Sequence, residues 1–405
     1  MNALVDPPPK VHPRVEHIRY SERTGISRFR PANGCDEYFV LIRSKQEPSF
    51  DLSLKNVLRD YLRVIERNEI PHDTLVFSRF ILSDIQNQKA LLLESELFKF
   101  ATSGAYSIIG QPPAFDGGGI YFLAYHITGN AERTKFNALD GAPHRNALLL
   151  KGQHYQVLYA GAFSGADELN SNVQTHEVFS DYRALLNRFN MTLAGNCWRT
   201  WIYIRDIDNH YAGMVNARVR LFRAEQLTEN TRYIASTGIE AKSLEVDSLV
   251  TMDSLAISGM RPEQAERMEA EANMCPTHRY GVTFERGQTL IFGDRKHHHI
   301  SGTASIDADG NVLHPNDIVL QTHRALENIS ALLAAKGAVL NDMAYFIVYM
   351  RNPSENTKVR EAIYQVVSKE VPILFVEGAV CRPSWLVEIE GMAISHADNS
   401  FPHFI

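Results

Sequence analysis

Along this chain, apolar residues switch repeatedly between every second position and every third or fourth. Such switches separate strands from helices, because side chains alternate across a strand and recur about every 3.6 residues on a helix. The strongest helix is IVLQTHRALENISALLAAKG, residues 318–337, with Gly337 as its C-terminal stop. Strand-like HHHISGTASID (297–307) precedes it, DMAYFIVYMR (342–351) follows, and then come a helix (TKVREAIYQVVSKEV) and two strands (ILFVEGAVCR and WLVEIEGMAIS). The earlier chain has a similar order. CDEYFVLIRS reads as a strand, SLKNVLRDYLRVIERNEI as a helix, DTLVFSRFILSDI as a strand and VFSDYRALLNRFNMTLAGN as a helix. Next come the strand TWIYIRDI, the helix GMVNARVRLFRAEQL, and the strand-like YIASTGIEA and LVTMDSLAIS. This pattern predicts an α+β protein of two related halves, each a mixed β-sheet with helices on one face. The boundary falls between Ser171 and Gly195, giving domains 23–190 and 191–405 behind a flexible Pro-rich lead segment, 1–22.

Composition excludes several classes. The chain has 405 residues, 44% of them apolar and 22% charged, with a net charge of −6. No basic excess marks a nucleic-acid or anionic-membrane partner, so an anionic substrate would need a local Arg cluster. The four cysteines, Cys35, Cys197, Cys275 and Cys381, form no CxxC pair, which points to a reducing, cytoplasmic setting. No apolar run approaches the roughly 20 residues of a membrane span, and the N-terminus lacks a signal-peptide core.

Three stretches invite specific chemistry. His297, His298 and His299 are consecutive, so on a strand only His297 and His299 share a face. No carboxylate at a fixed spacing completes a zinc site, and no metal is expected. Ser301, Gly302 and Thr303 read as a tight turn whose amides and hydroxyls suit a carboxylate or alkoxide. FDGGGIYF lacks both nucleotide-loop spacings and reads as a hairpin turn, while MRPEQAERMEAEA (260–272) reads as a solvated helix face. Glu388 and Glu390 lie two apart on a strand and face the same side. Against an apolar pocket such a carboxyl gains a raised pKa and serves as a general acid; on an edge strand it would face solvent. Cys381 by itself reads as a small core residue.

The stretch from SGTASID to VYMRNP, with its SG turn, its Q…R…L.N helix and the strand after it, resembles the YjgF/Rid superfamily. The closing LVEIEGMAIS is similar to that fold's last strand. SGTASI, VCRPSWLVEIE and TWIYIRDI…VNARVRLF resemble the chorismatase branch, which includes the 3-hydroxybenzoate-forming enzymes. That resemblance implies a chorismate-mutase-like fold of two YjgF-like halves, with no cofactor and no metal. It also implies conversion of chorismate to pyruvate plus a hydroxybenzoate or a dihydroxycyclohexadiene carboxylate. Glu388 would protonate the enol ether. Cys381, with Gly238 facing it, would steer the intermediate to the aromatic product. Two substrate carboxylates would call on Arg218, Arg351 and Arg382, since bidentate Arg suits carboxylates better than Lys, and Tyr203 would hydrogen-bond the substrate or simply pack. YjgF-like units commonly build trimers, so self-association is expected. Pro372 to Phe375 lacks the Arg of simple imine deaminases. A divergent imine or enamine hydrolase and a non-catalytic small-molecule-binding protein are the remaining alternatives.

Overall fold

The computed structural model describes residues 14–115, 117–166 and 168–405. Residues 1–13 of the expected lead segment lie outside them. Residues 14–22 are tied to the body by an edge strand, β1 (Glu16–Arg19), paired antiparallel with β2 (Thr24–Phe29).

The first sheet continues with β3 (Glu37–Arg43), helix α1 (Phe50–Arg67), β4 (Leu75–Leu82), α2 (Ile85–Glu94), α3 (Glu96–Phe100), β5 (Ala105–Gly110) and β6 (Ile120–Ile127). The second holds β7 (Glu132–Phe136), β8 (Asn146–Lys151), β9 (Gln156–Ser164), α4 (Ser171–Arg188), α5 (Leu193–Asn196), β10 (Cys197–Ile204), α6 (Ile207–Ala224), β11 (Ala235–Glu240) and β12 (Val250–Ser258). The third holds β13 (Ala265–Arg267), β14 (Gly287–Ile291), β15 (Arg295–Ala304), α7 (Ile318–Ala334), β16 (Met343–Met350), α8 (Asn356–Ile363), β17 (Ile373–Glu377) and β18 (Val387–His396).

Each sheet has six strands in one order: β1-β2-β3-β6-β4-β5, β7-β8-β9-β12-β10-β11 and β13-β14-β15-β18-β16-β17. The α+β class and the helices on one face match expectation, but the related units number three, not two. The boundary expected near residue 190 falls inside the second unit, between α4 and β10. The three units pack on one another within the chain, β5 on β9, β11 on β15 and β17 on β3.

Local sequence explains the elements. Asp317 caps α7 by accepting from the Leu320 amide at 3.0 Å, and Ser49 caps α1 in the same way. Gly337, at φ +77°, lies just beyond the end of α7. The central strands β4, β6, β10 and β16 are buried at every position, which explains their largely apolar sequences; Arg79 and Arg199 are exceptions. Two sequence expectations fail. Met260–Ala272 forms a short 3-10 turn and the edge strand β13 instead of a helix. The Gly-rich segment before Ile120 joins β5 to β6, which are not neighbours in the sheet, so it is a crossover and not a hairpin.

A buried ion pair crosses each junction between units. Arg79 of the first meets Asp253 of the second at 3.1 Å, Arg199 of the second meets Glu390 of the third, and Arg295 of the third meets Glu37 of the first. All six side chains are at most 3% exposed. Removing one partner of such a pair costs about 3–5 kcal/mol, because a charge is left buried and unpaired. These pairs fix how the units sit on one another. No helix among the described residues is long and apolar enough to cross a membrane.

Candidate active site

At the junction of the second and third units a cavity of about 250 Å³ opens. The second unit contributes Tyr211 and Arg218 from α6 with Ser236 and Gly238 from β11. From the third come Tyr280, Val282, Phe284 and Arg286 before β14, Gly302 and Ala304 on β15, then Ile306, Cys381, Arg382, Trp385 and Glu388.

Glu388 stands on β18, which runs between β15 and β16, so it is on no edge. It is 6% exposed, and no hydrogen bond from a described residue reaches its carboxyl. Glu390, on the same face, is fully spent: Arg199 and Thr237 donate to one oxygen and Tyr349 donates to the other at 2.7 Å. Burial, followed by the neighbouring Glu390 charge, pushes the Glu388 carboxyl up to about 8, while Arg199 and Arg286 pull against that rise. Glu388 therefore carries a proton at neutral pH.

Gly302 makes room for that carboxyl. A Cβ at residue 302 would overlap the Glu388 carboxyl group. The sequence placed residues 301–303 in a turn, but they lie inside β15, where the register against β18 slips between Ile300 and Thr303. This bulge re-aims the chain, and only Gly302 of the three lines the cavity. The Ser301 hydroxyl bridges the Ser236 amide and the Glu285 carbonyl, Thr303 donates to Ser301 O, and the Gly302 amide donates to Thr237 Oγ1. The amide and hydroxyls expected to hold an anion are thus already committed. Gly302→Ala is expected to lower turnover at least about a hundredfold by displacing the carboxyl, with thermal unfolding shifted by only a few degrees. Turnover within tenfold of the parent would contradict this role.

Three guanidiniums line the cavity, and none forms an ion pair with a described residue. Arg218, 2% exposed, donates to Thr283 Oγ1 at 3.2 Å, and burial lowers its pKa. Arg286, 7% exposed, donates to the Cys275 carbonyl and lies over the Tyr280 and Phe284 rings. Arg382 donates to the Gly310 carbonyl and lies over Tyr280 and Trp385. Carbonyls and ring faces orient these cations without neutralising them. The cavity therefore carries positive charge that no carboxylate among the described residues pairs with.

Cys381 and Gly238 also line the cavity. Cys381 and Tyr211 share the cavity wall, and a Cβ at Gly238 would lie 3.6 Å from the Tyr211 ring. Burial, then the nearby Glu388, pushes the Cys381 thiol up to about 12, which favours the neutral thiol over the thiolate.

Two expected ligands lie elsewhere. Arg351 grips Asp208 through both terminal nitrogens at 2.8 and 3.0 Å and does not line the cavity. Tyr203 faces the junction of all three units, within 5.7 Å of the Arg79 guanidinium and away from the cavity. The histidines serve structure: His297 bonds Glu37 at 2.8 Å, and His298 bridges Thr289 and Ser395. Sequence reasoning missed Arg286, Tyr211, Tyr280, Phe284 and Trp385. Arg286 sits beside Gly287 in a segment without periodicity, and only its flanking aromatics hinted at a held cation.

Comparison with known proteins agrees with this architecture. The family model described as Endoribonuclease L-PSP matches residues 293–395. A RutC family protein of Pyrococcus horikoshii is 33% identical over 95 residues, 23% of this chain and 75% of its own length. The chain belongs to the YjgF/RutC family. Over 104 residues it is also 32% identical to a 3-hydroxybenzoate synthase of Streptomyces hygroscopicus, a match spanning 24% of this chain and 30% of that synthase. A chorismatase crystal structure superposes with a TM-score of 0.62 at 18% identity, covering 89% of this chain and 98% of the other. The fold along nearly the whole chain is thus that of a chorismatase, and the resemblance read from the sequence holds.

Proposed function

We propose that this chain converts chorismate to a hydroxybenzoate and pyruvate without a cofactor, with Glu388 as the general acid. One observation carries the reading: a buried carboxyl, which burial pushes up to about 8, lines one cavity with three guanidiniums that form no ion pair with a described residue. Arg218, Arg286 and Arg382 hold the two carboxylates. Glu388 passes its proton to the methylene carbon of the enol ether, and the double-bond electrons form the new C–H bond. The adjacent carbon becomes an oxocarbenium, stabilised by the new Glu388 carboxylate; the bond from the ether oxygen to the ring then breaks, its electron pair completes the pyruvate carbonyl, and the proton the ring loses on becoming aromatic returns to Glu388. Overall, chorismate supplies every atom of hydroxybenzoate and pyruvate. The dihydroxycyclohexadiene route consumes one water in addition. Cys381 and Gly238, on either side of Tyr211, shape the wall that directs the intermediate to the aromatic ring.

Purified protein incubated with chorismate should release pyruvate, followed by a lactate dehydrogenase couple, with one aromatic product per pyruvate on chromatography. No pyruvate above the protein-free rate would sink the proposal. Cys381→Ala should move the product ratio from hydroxybenzoate towards the diene with total turnover within tenfold, and an unchanged ratio would remove Cys381 from product control. kcat/KM should be flat below pH 8 and fall about tenfold per unit above it, because the acid must carry its proton in the free enzyme. The limb in kcat should lie higher still, since a bound dianion disfavours ionised Glu388. A rate that rises through pH 8 would exclude Glu388 as the acid.

A further inference from the structure

We propose that the junction between the third and first units holds a second binding site, for a small dianion, which binds without catalysing. Strand register shows how this junction corresponds to the first. Ala304, paired with Glu388, lines the candidate active site; Arg43, paired with Tyr121, occupies the matching place on β3 and β6. Ser236 of β11 corresponds to Ile373 of β17, since Ile239 and Val376 pair with equivalent positions on β10 and β16. A groove of about 590 Å³ opens here, lined by Arg19, Arg43, Arg360 and Lys369, with Tyr364, Glu22 and Glu361. Ile373 lines a smaller pocket that shares Arg19, Glu22, Arg43, Tyr364 and Lys369 with this groove.

Four cations thus face two exposed carboxylates in a chain whose net charge is −6. None of the four forms an ion pair with a described residue. Arg19 donates to the Ser21 and Lys369 carbonyls at 3.2 Å, and Arg43 donates to the Glu22 carbonyl. Arg360 lies 4.7 Å from the centroid of the Phe115 ring. As in the first cavity, carbonyls and a ring orient guanidiniums that keep their charge. The acid is missing: Tyr121, fully buried, stands in the place of Glu388 and donates to the Phe115 carbonyl. The remaining junction is covered by 241–248, where Gly110 and Lys89 donate to the Lys242 and Leu244 carbonyls. The ligand class is therefore a dicarboxylate or a phosphate, recognised by charge and by the Tyr364 ring.

Calorimetric titration of the full chain with isophthalate, and separately with inorganic phosphate, tests this. At least one probe should bind in the groove, and that equivalent should weaken tenfold or more in R360Q/K369Q while persisting in R218Q. Arg360 and Lys369 lie on the outer surface, and Arg43→Gln provides a second, independent variant. Chorismate turnover in anion-free buffer should be unchanged in R360Q/K369Q. Binding of phosphate alone would identify a phosphate site and binding of isophthalate alone a carboxylate site. If neither probe shows an equivalent sensitive to R360Q/K369Q or R43Q, the proposal is overturned. Because the readout is binding, loss of chorismate turnover with groove binding intact would sink only the earlier functional reading.

Discussion

Glu388→Gln should lower pyruvate release from chorismate by about a thousandfold, within the range of a lost general acid, while the protein becomes more stable at alkaline pH. The amide keeps the shape of the carboxyl but has no proton to give to carbon. Residual activity above a tenth of the parent would remove Glu388 from the chemistry. The stability gain follows from linkage. Glu388 has an ordinary value of 4.5 and is raised to about 8 in the folded chain, so the folded state binds its proton more tightly than the unfolded state does. Its contribution is fully present below pH 4.5 and is lost as pH rises towards 8. At about 1.4 kcal/mol per pKa unit, the parent gives up on the order of 5 kcal/mol across that window, and the glutamine variant does not. The two proteins should melt alike near pH 5, with the variant melting several degrees higher at pH 9. Equal melting temperatures at pH 9 would show that the carboxyl is hydrated and its proton ordinary.

Arg199→Met should destabilise the chain by about 3–5 kcal/mol, since it leaves the Glu390 carboxylate buried without its countercharge. Tyr349 and Thr237 would still donate to Glu390, but neither carries positive charge. The double variant Arg199→Met/Glu390→Leu should recover most of the loss, as apolar replacements of buried pairs often do. Both changes also reach the site. Arg199 lowers the Glu388 value and Glu390 raises it, so the pH limb should move up in the single variant and return towards the parent in the double. Additive losses in the double variant would mean that the pair is not coupled.

The third unit was legible because its apolar periods are long and its Ile318 helix is capped. The earlier two units were read as one because the segment around Ser171–Gly195 has the composition of neither linker nor turn. Glu388, Gly238 and Arg218 stand on recognisable strands and a helix, whereas Cys381 and Arg382 lie in the loop between β17 and β18; the roles of Cys381 and Gly238 were legible only through the resemblance. Arg351 was assigned to the cavity because a strand end is where pocket residues gather. Its actual partner, Asp208, is 143 positions away, and sequence spacing carries no trace of that pair. Gly302 was found for the wrong reason: its value lies in the missing Cβ, which a bulge turns towards Glu388, and not in a free amide. Arg286 was hidden because its position depends on a carbonyl and two rings within an irregular loop.

A ring of identical subunits must accept every substitution at all of its interfaces together. Here the repeats are strung on one polypeptide, so each seam is free to change by itself. One seam has an acid with room around it, another a tyrosine in the acid's place, and the third a threonine, Thr251, sealed beneath a strap. Three repeats on one polypeptide thus present three unlike seams.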